Sequence, residues 1–506
     1  MIKLSLNSIV DPTLLLILAS LLLSTVWGSQ PLNAQSPTRL TRSKPGDLIL
    51  IPFLLETQDG KPVAAEWGRL VVPENRAQPE GNLIELPFVR FKATTSEKGP
   101  PIFSLAGGPG DETLHNLTDM LPFVPIFQNL GDLIIPEPRG VGYSRPCLDC
   151  PGSYHLPLDK PLDYDTLFKA AREYMVSCAE FWKGQKVDLS GYNVREMAAD
   201  IDVIRQALGY EKIILFGGSF GSHHGLAVLK YYGEHVERAV LAGVEGPNHT
   251  IKLPSTIQHH LEKLNVMVKV DPQLSQDIPD FLKLIETVLE RLEQEPVTVE
   301  VENPKTGKTV AVTVGALDLQ AVTGNGMGNV PFLQALPARY HAMAQGDFSW
   351  LAERALESRR NRRVRLMPAL VDCASGATIE RHAKIKEEAD QTLMGGIING
   401  ALFDYCDALG GADLNDRFRG DLYSEVPTLL VSASLDARTP VSNAEEILKG
   451  LVNGQHLILE NVSHNFGDLG EEQVQQYLHA VIQFLKGKPL PTTRIVNQFQ
   501  FDSIAP

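Results

Sequence analysis

A serine, an aspartate and a histidine can together transfer an acyl group, and this chain carries one of each in a distinctive setting. Ser219 lies in Gly217-Gly218-Ser219-Phe220-Gly221. That stretch fits G-x-S-x-G, in which a serine is held on a sharp turn between a strand and a helix. The glycines are needed because the turn is tight and side chains at the flanking positions would collide with strand and helix. The hydroxyl then stands at a helix N-terminus, where the local field favours a developing negative charge. Asp436 comes just after the apolar run Thr428-Leu429-Leu430-Val431-Ser432-Ala433, and His464 comes after His456-Leu457-Ile458-Leu459. Each of the three, taken alone, is an ordinary loop residue. Their arrival in the order Ser219, Asp436, His464, each past its own strand, fits a nucleophile, an orienting acid and a general base.

The chemistry follows from the residue types. Serine is a poor nucleophile unaided. His464 takes its proton and later returns it to the leaving group, while Asp436 holds the imidazole tautomer and stabilises the imidazolium. The oxyanion is expected against the backbone N–H of Phe220 and one from Gly107-Gly108-Pro109-Gly110, assigned to Gly108.

The surrounding pattern supplies elements to position these groups. Ile213-Ile214-Leu215-Phe216 is continuously apolar, as suits a strand covered on both faces. Val194, Met197, Ala198, Ile201, Ile204 and Leu208 share one helical face, so a helix over 194–208 crosses into that strand. This is a β–α–β unit, and it implies a parallel sheet. Upstream, closely spaced strands at 48–53, 67–75 and 82–91 read as an antiparallel meander at a sheet edge. Strands at 101–106 and 132–136 each run into a glycine-rich loop, where open α/β sheets place their sites.

From 255 to 423 the parallel rhythm stops. Helical stretches at 257–268, 278–292, 332–344 and 348–359 dominate, interrupted by one hairpin about Asn303-Pro304-Lys305-Thr306-Gly307. The expected organisation is a core at 46–254 and 424–490 with an inserted, mainly helical cap at 255–423. The run Arg359-Arg360-Asn361-Arg362-Arg363-Val364-Arg365 reads as a solvated helix face. The tail beyond Pro489 carries no pattern.

Bulk composition bounds the function class. The 506 residues are 43% apolar and 21% charged, as in a globular protein, and the formal net charge of −15 argues against nucleic acid or an anionic membrane as partner. Residues 1–34 read as an export signal, with Lys3, a short Leu-rich run at 14–23 and a cleavage site at Leu32-Asn33-Ala34. Asp11 ahead of that run leaves an uncleaved anchor as the alternative. Export makes the mature chain periplasmic or secreted, with no stable membrane association after cleavage, and makes disulfides the default. Cys178 is expected to bond one of Cys147 or Cys150, and Cys373 to bond Cys406, which leaves one cysteine over. No metal or cofactor is expected. Cys147-Leu148-Asp149-Cys150 lacks a second such pair, and neither His223-His224 nor His259-His260 has ligand spacing to Cys, Asp or Glu.

Gly107-Gly108-Pro109-Gly110, Arg139-Gly140-Val141-Gly142-Tyr143-Ser144, Gly217-Gly218-Ser219-Phe220-Gly221, Asp436-Ala437-Arg438-Thr439-Pro440 and His464 together resemble the prolyl aminopeptidase and tripeptidyl aminopeptidase group of α/β-hydrolases. The resemblance runs from about residue 67 to 485. It implies an α/β-hydrolase fold, with a mostly parallel central sheet, helices on both faces and a cap. It also implies an exopeptidase that releases residues from a free N-terminus. The long cap and paired cysteines are closer to the exported tripeptidyl branch. The chain departs from the family at Ala106, often His, and at Glu137-Pro138, often Asp-Gln; neither touches the triad.

An exopeptidase of this kind needs an acid to meet the substrate ammonium. Glu245, past the strand after Ser219, is the candidate, against its reading as a solvent-facing loop glutamate. A small peptide is the expected substrate, or an ester if the same triad serves a carboxylesterase. Acids in the cap favour the first and a wholly apolar pocket the second. A non-catalytic binding protein on the same scaffold is the third reading, marked by a Ser219 that no fluorophosphonate labels.

Overall fold

A computed structural model describes residues 44–504 apart from 58, 59 and 361; the expected export signal at 1–34 lies outside them. Side-chain alternation accounts for the apolar middle strands. In β6 (Ile213–Gly218), Ile213 and Leu215 enter one core, and Ile214 and Phe216 pack against the other. In β10 (Thr428–Ala433), Leu430 faces the first core and Leu429 and Val431 the second. A strand with a core on each side must be apolar at every position.

The remaining strands are β1 (Leu48–Glu56), β2 (Pro62–Pro73), β3 (Leu83–Phe91), β4 (Ile102–Leu105), β5 (Leu133–Pro136), β7 (Val236–Ala242), β8 (Val297–Asn303), β9 (Lys308–Val314), β11 (Gly454–Glu460) and β12 (Arg494–Val496). The large sheet has the order β1-β2-β3-β5-β4-β6-β7-β10-β11-β12, with β8-β9 a separate hairpin. β1 to β3 form the expected antiparallel edge and β3 meets β5 antiparallel. From β5 to β12 every pairing is parallel. The helix Val194–Ala207 crosses into β6 as expected, its first turn capped by Asn193, whose side chain accepts from the N–H of Glu196.

The helices between β7 and β10 bury themselves in two ways. Ser255–Val270, Phe281–Gln294, Val330–Ala344 and Ser349–Arg359, with the hairpin, enclose a core of their own that includes Leu261, Phe281, Ile285, Val312 and Tyr340. Leu366–Ser375 and Leu402–Leu409 instead join the core under the sheet. Cys373–Cys406 ties these two helices together, and Cys150–Cys178 fixes the helix Tyr164–Gly184 to the loop after β5. Cys147 is the cysteine left over, half-buried.

The arginine run is not a solvated helix face. Its helix ends at Arg359, and of the five arginines only Arg363 is exposed. Arg359 is wholly buried, ion-paired with Asp318, and donates to the carbonyls of Pro157 and Lys160 at 2.8 and 2.9 Å. Arg362 donates to the Tyr154 hydroxyl at 3.0 Å, and Arg365 to the Gly110 carbonyl at 2.9 Å. A guanidinium offers five donors in a fixed fork, so these residues satisfy carbonyls and acids brought in from distant segments. The tail is also ordered. After β12 it crosses to the cap, where Phe501 is buried in the cap core and the Asp502 N–H donates to the Gln334 carbonyl at 3.1 Å.

Candidate active site

The loops after β4, β5, β6, β7, β10 and β11 lie at one edge of the sheet, because parallel neighbours end on the same side. Ser219 has φ 53 and ψ −126, the strained turn expected between β6 and the helix Phe220–Tyr232. Two of its glycines are sterically obligatory. A Cβ on Gly217 would lie 2.4 Å from the Gly221 carbonyl oxygen, and one on Gly221 would lie 2.6 Å from that of Leu105. Gly218, the variable position, has room.

The three expected residues meet. His464 Nε2 is 2.9 Å from Ser219 Oγ, and His464 Nδ1 is 2.8 Å from Asp436 Oδ2. With the proton on Nδ1, Nε2 is free to accept from the serine. Asp436 is fully buried. Burial alone would push its carboxyl up, but the neighbouring His464 charge and the hydrogen bonds from His464 and Thr439 outweigh this and hold it below the usual carboxylate range. Its Oδ1 accepts from the N–H groups of Arg438 and Thr439 at 2.8 and 2.9 Å. Thr439 adds a member that residue types did not reveal. Its hydroxyl donates to Asp436 Oδ2 at 2.5 Å and lies 3.1 Å from His464 Nδ1.

Phe220 opens its helix, so its N–H has no intrahelical acceptor. Gly108 turns at φ +103 in the loop after β4. Neither N–H is donated to another group among the described residues. The glycine-rich run after β5 has a supporting role. Wholly buried Arg139 grips both oxygens of Asp200 at 2.7 Å and the carbonyls of Glu74 and Gly191 at 2.6 Å. Glu137 accepts from the Thr113 hydroxyl at 2.8 Å and the Leu114 N–H at 2.9 Å, which pins the loop carrying Gly108.

Ser219 and Gly108 open on a cavity of about 210 Å³. Glu245 lines it and is 6% exposed, so it is not the solvent-facing glutamate of its alternative reading. It is ion-paired with Lys252. Burial pushes the Glu245 carboxyl up, and the charges of Lys252 and His223 more than reverse this. Asp372, from the helix Leu366–Ser375, lines the same cavity. Burial and then the Glu245 charge push its carboxyl up to about 8, partly offset by Lys252 and Arg438. No described group hydrogen-bonds to it. Sequence reasoning did not find Asp372 or Lys252; the one signal for Asp372 was its place beside a bridged cysteine. Among the described residues no group of three or more His, Cys, Asp or Glu is placed to hold a metal ion, and no helix is long and apolar enough to cross a membrane.

The chain is similar to several known proteins. It is 28% identical over 197 residues to serine protease Hip1 of Mycobacterium tuberculosis, covering 37% of each chain. It is 30% identical over 210 residues to a tripeptidyl aminopeptidase of Streptomyces coelicolor, and 29% identical over 205 residues to carboxylesterase B of Mycobacterium tuberculosis, covering 38% of each chain in both cases. The aligned part thus spans a little over a third of the length of these relatives. The alpha/beta hydrolase fold family matches residues 100–471, from the strand before Gly108 to past His464. With the sheet order, the turn at Ser219 and that match in agreement, this chain belongs to the alpha/beta hydrolase fold family.

Proposed function

We propose that the protein is an exported serine aminopeptidase that releases residues from the free N-terminus of small peptides through an acyl-enzyme. Ser219 Oγ attacks the scissile carbonyl carbon as His464 Nε2 takes its proton, and Asp436 stabilises the imidazolium without being protonated. The N–H groups of Phe220 and Gly108 receive the oxyanion; loss of one such donor costs about 3–4 kcal/mol. His464 then protonates the leaving nitrogen, and water deacylates Ser219 by the same route in reverse. The two disulfides support a working place outside the cytoplasm, periplasmic or secreted.

The observation that carries the aminopeptidase reading is a pair of carboxyl groups, Glu245 and Asp372, in the cavity that holds Ser219. Asp372 has no cation bonded to it and is set to meet a substrate ammonium. A second reading, a carboxylesterase, is favoured by the Lys252 that already neutralises Glu245. A substrate panel separates them: aminoacyl, prolyl and tripeptidyl arylamides, their N-acetylated forms and short p-nitrophenyl esters, with Ser219→Ala as control. Turnover of free-amine arylamides, lost on N-acetylation and in the variant, establishes the aminopeptidase. Turnover of esters alone refutes it in favour of the esterase.

A further inference from the structure

Arg438 is unlike the other arginines near the site. Arg139, Arg359 and Arg365 are each paired with a carboxylate. Arg438 lies two residues beyond Asp436 and lines the Ser219 cavity, yet among the described residues its guanidinium makes no ion pair and donates no hydrogen bond. Its backbone is fixed by the N–H bond to Asp436 Oδ1 at 2.8 Å. Its stem and the His464 Cβ border the same residue of the cap, Gly328. A Cβ on Gly328 would lie 3.1 Å from Arg438 Cδ and 3.2 Å from His464 Cβ, so one backbone segment of the cap touches both side chains. Arg438 is an exposed residue at the rim of this cavity, and its charge is felt at Asp372, which lines the same cavity.

Placement next to His464 decides which part of a substrate this cation meets. His464 gives its proton to the leaving nitrogen, so the leaving fragment must lie against the imidazole and therefore along Arg438. The acids Glu245 and Asp372 belong to other elements, the loop after β7 and the helix Leu366–Ser375, and line the same cavity. An arginine fork without a partner binds a carboxylate by charge-assisted hydrogen bonds.

We propose that Arg438 is a specificity-determining residue that binds a carboxylate on the leaving side of the scissile bond. Short peptides with a free C-terminal carboxylate, or an acidic side chain, just beyond that bond are thereby preferred over their amidated or neutral counterparts. The inference rests on the serine-hydrolase reading of Ser219 and deepens it by naming the leaving group.

The test compares matched pairs in wild type, Arg438→Gln and Arg438→Lys. One pair is a free-amine tetrapeptide as its C-terminal acid and as its amide. The other is a phenyl ester and its carboxyphenyl analogue, which any serine hydrolase can turn over. The readout is the ratio of kcat/KM, acid over neutral, within each pair. We expect a ratio of roughly tenfold in wild type, near one in Arg438→Gln and intermediate in Arg438→Lys. A wild-type ratio of one, or a ratio that survives Arg438→Gln, overturns the proposal. A variant that loses activity equally on both members does so too, because it marks Arg438 as support for Asp436 only. If both peptides are inert while the ester pair shows the Arg438-dependent ratio, the aminopeptidase reading falls and the role of Arg438 stands.

Discussion

Replacing Asp372 by asparagine should stabilise the free enzyme at alkaline pH while weakening its hold on a free amine. The folded protein keeps this carboxyl protonated far more readily than an unfolded chain does, at about 8 against an ordinary 3.8. A group whose folded pKa is raised destabilises the fold wherever the unfolded chain would ionise it. The cost is absent below about pH 4, grows as pH rises toward 8 and is constant above that. At about 1.4 kcal/mol per tenfold change in proton affinity, the ceiling is ~6 kcal/mol. Asp372 opens onto the cavity, and water there screens the charge, so roughly 2–3 kcal/mol is the working figure.

Asparagine is nearly the same shape and never ionises, so the variant should lose this pH-dependent term. The assay is thermal unfolding of wild type and Asp372→Asn at pH 4.5 and pH 8.5. For a fold of this length, 1 kcal/mol moves Tm by roughly 1–2 °C. The variant should therefore gain about 2–6 °C on wild type between the two pH values. In the same variant, kcat/KM on free-amine substrates should fall roughly 10- to 100-fold, from the loss of a charge-assisted contact. Parallel Tm curves for the two proteins would refute the reasoning, because Asp372 would then be ionised in the fold throughout. A lost pH term with unchanged free-amine kinetics would leave the burial argument intact and remove Asp372 from substrate binding.

Thr439→Val removes the hydroxyl bonded to Asp436 and should lower kcat about 5- to 100-fold with little change in KM, whereas Thr439→Ser should recover most of it; steady-state kinetics on one arylamide checks both. Arg359→Ala leaves Asp318 buried without its partner and should destabilise by about 3–5 kcal/mol, while a double replacement of Arg359 and Asp318 by Met and Leu should restore much of the lost Tm in calorimetry. Cys373→Ala with Cys406→Ala opens a bridge spanning 33 residues and should cost about 3–4 kcal/mol. Because Asp372 and Tyr405 flank those cysteines and line the cavity, KM for free-amine substrates should rise more than kcat falls.

What the sequence discloses here depends on whether a feature is encoded along the chain or across it. Ser219, Asp436 and His464 were legible because each follows an apolar strand, and strand order in a parallel sheet maps chain position onto one edge. Gly217 and Gly221 were legible for a local reason, the close approach of their own turn to the next element. Asp372 and Lys252 were not. They meet Glu245 only when the segment after Gly246 and the helix Leu366–Ser375 close over the sheet edge, and no spacing records that closure. The arginine run misled because density of charge in a chain says nothing of its partners. Asp318, the Gly110 carbonyl and the Pro157 carbonyl are all more than forty residues away. Thr439 stood in the motif but offered only a hydroxyl, a group whose role is set by the 2.5 Å to Asp436.

These across-chain contacts share one effect, the fixing of the cap over Ser219. Arg365 binds the Gly110 carbonyl, so the loop of Gly108 is tied to the segment entering the helix of Asp372. The Ser463 hydroxyl reaches the Gly328 carbonyl at 3.1 Å, tying the histidine loop to the cap. Leu435 and Ala437, on either side of Asp436, are buried in the cap core, and the tail straps the sheet edge to the same core through Phe501. The loop of Gly108, the segment of Asp436 and the loop of His464 are each attached separately to the inserted region. The cap is thus held to the sheet edge at several separate points. The bounded space beneath it, about 210 Å³, is below the roughly 300–1,000 Å³ of pockets that enclose drug-sized ligands. A space of that size suits the chain terminus that the proposed aminopeptidase would bind.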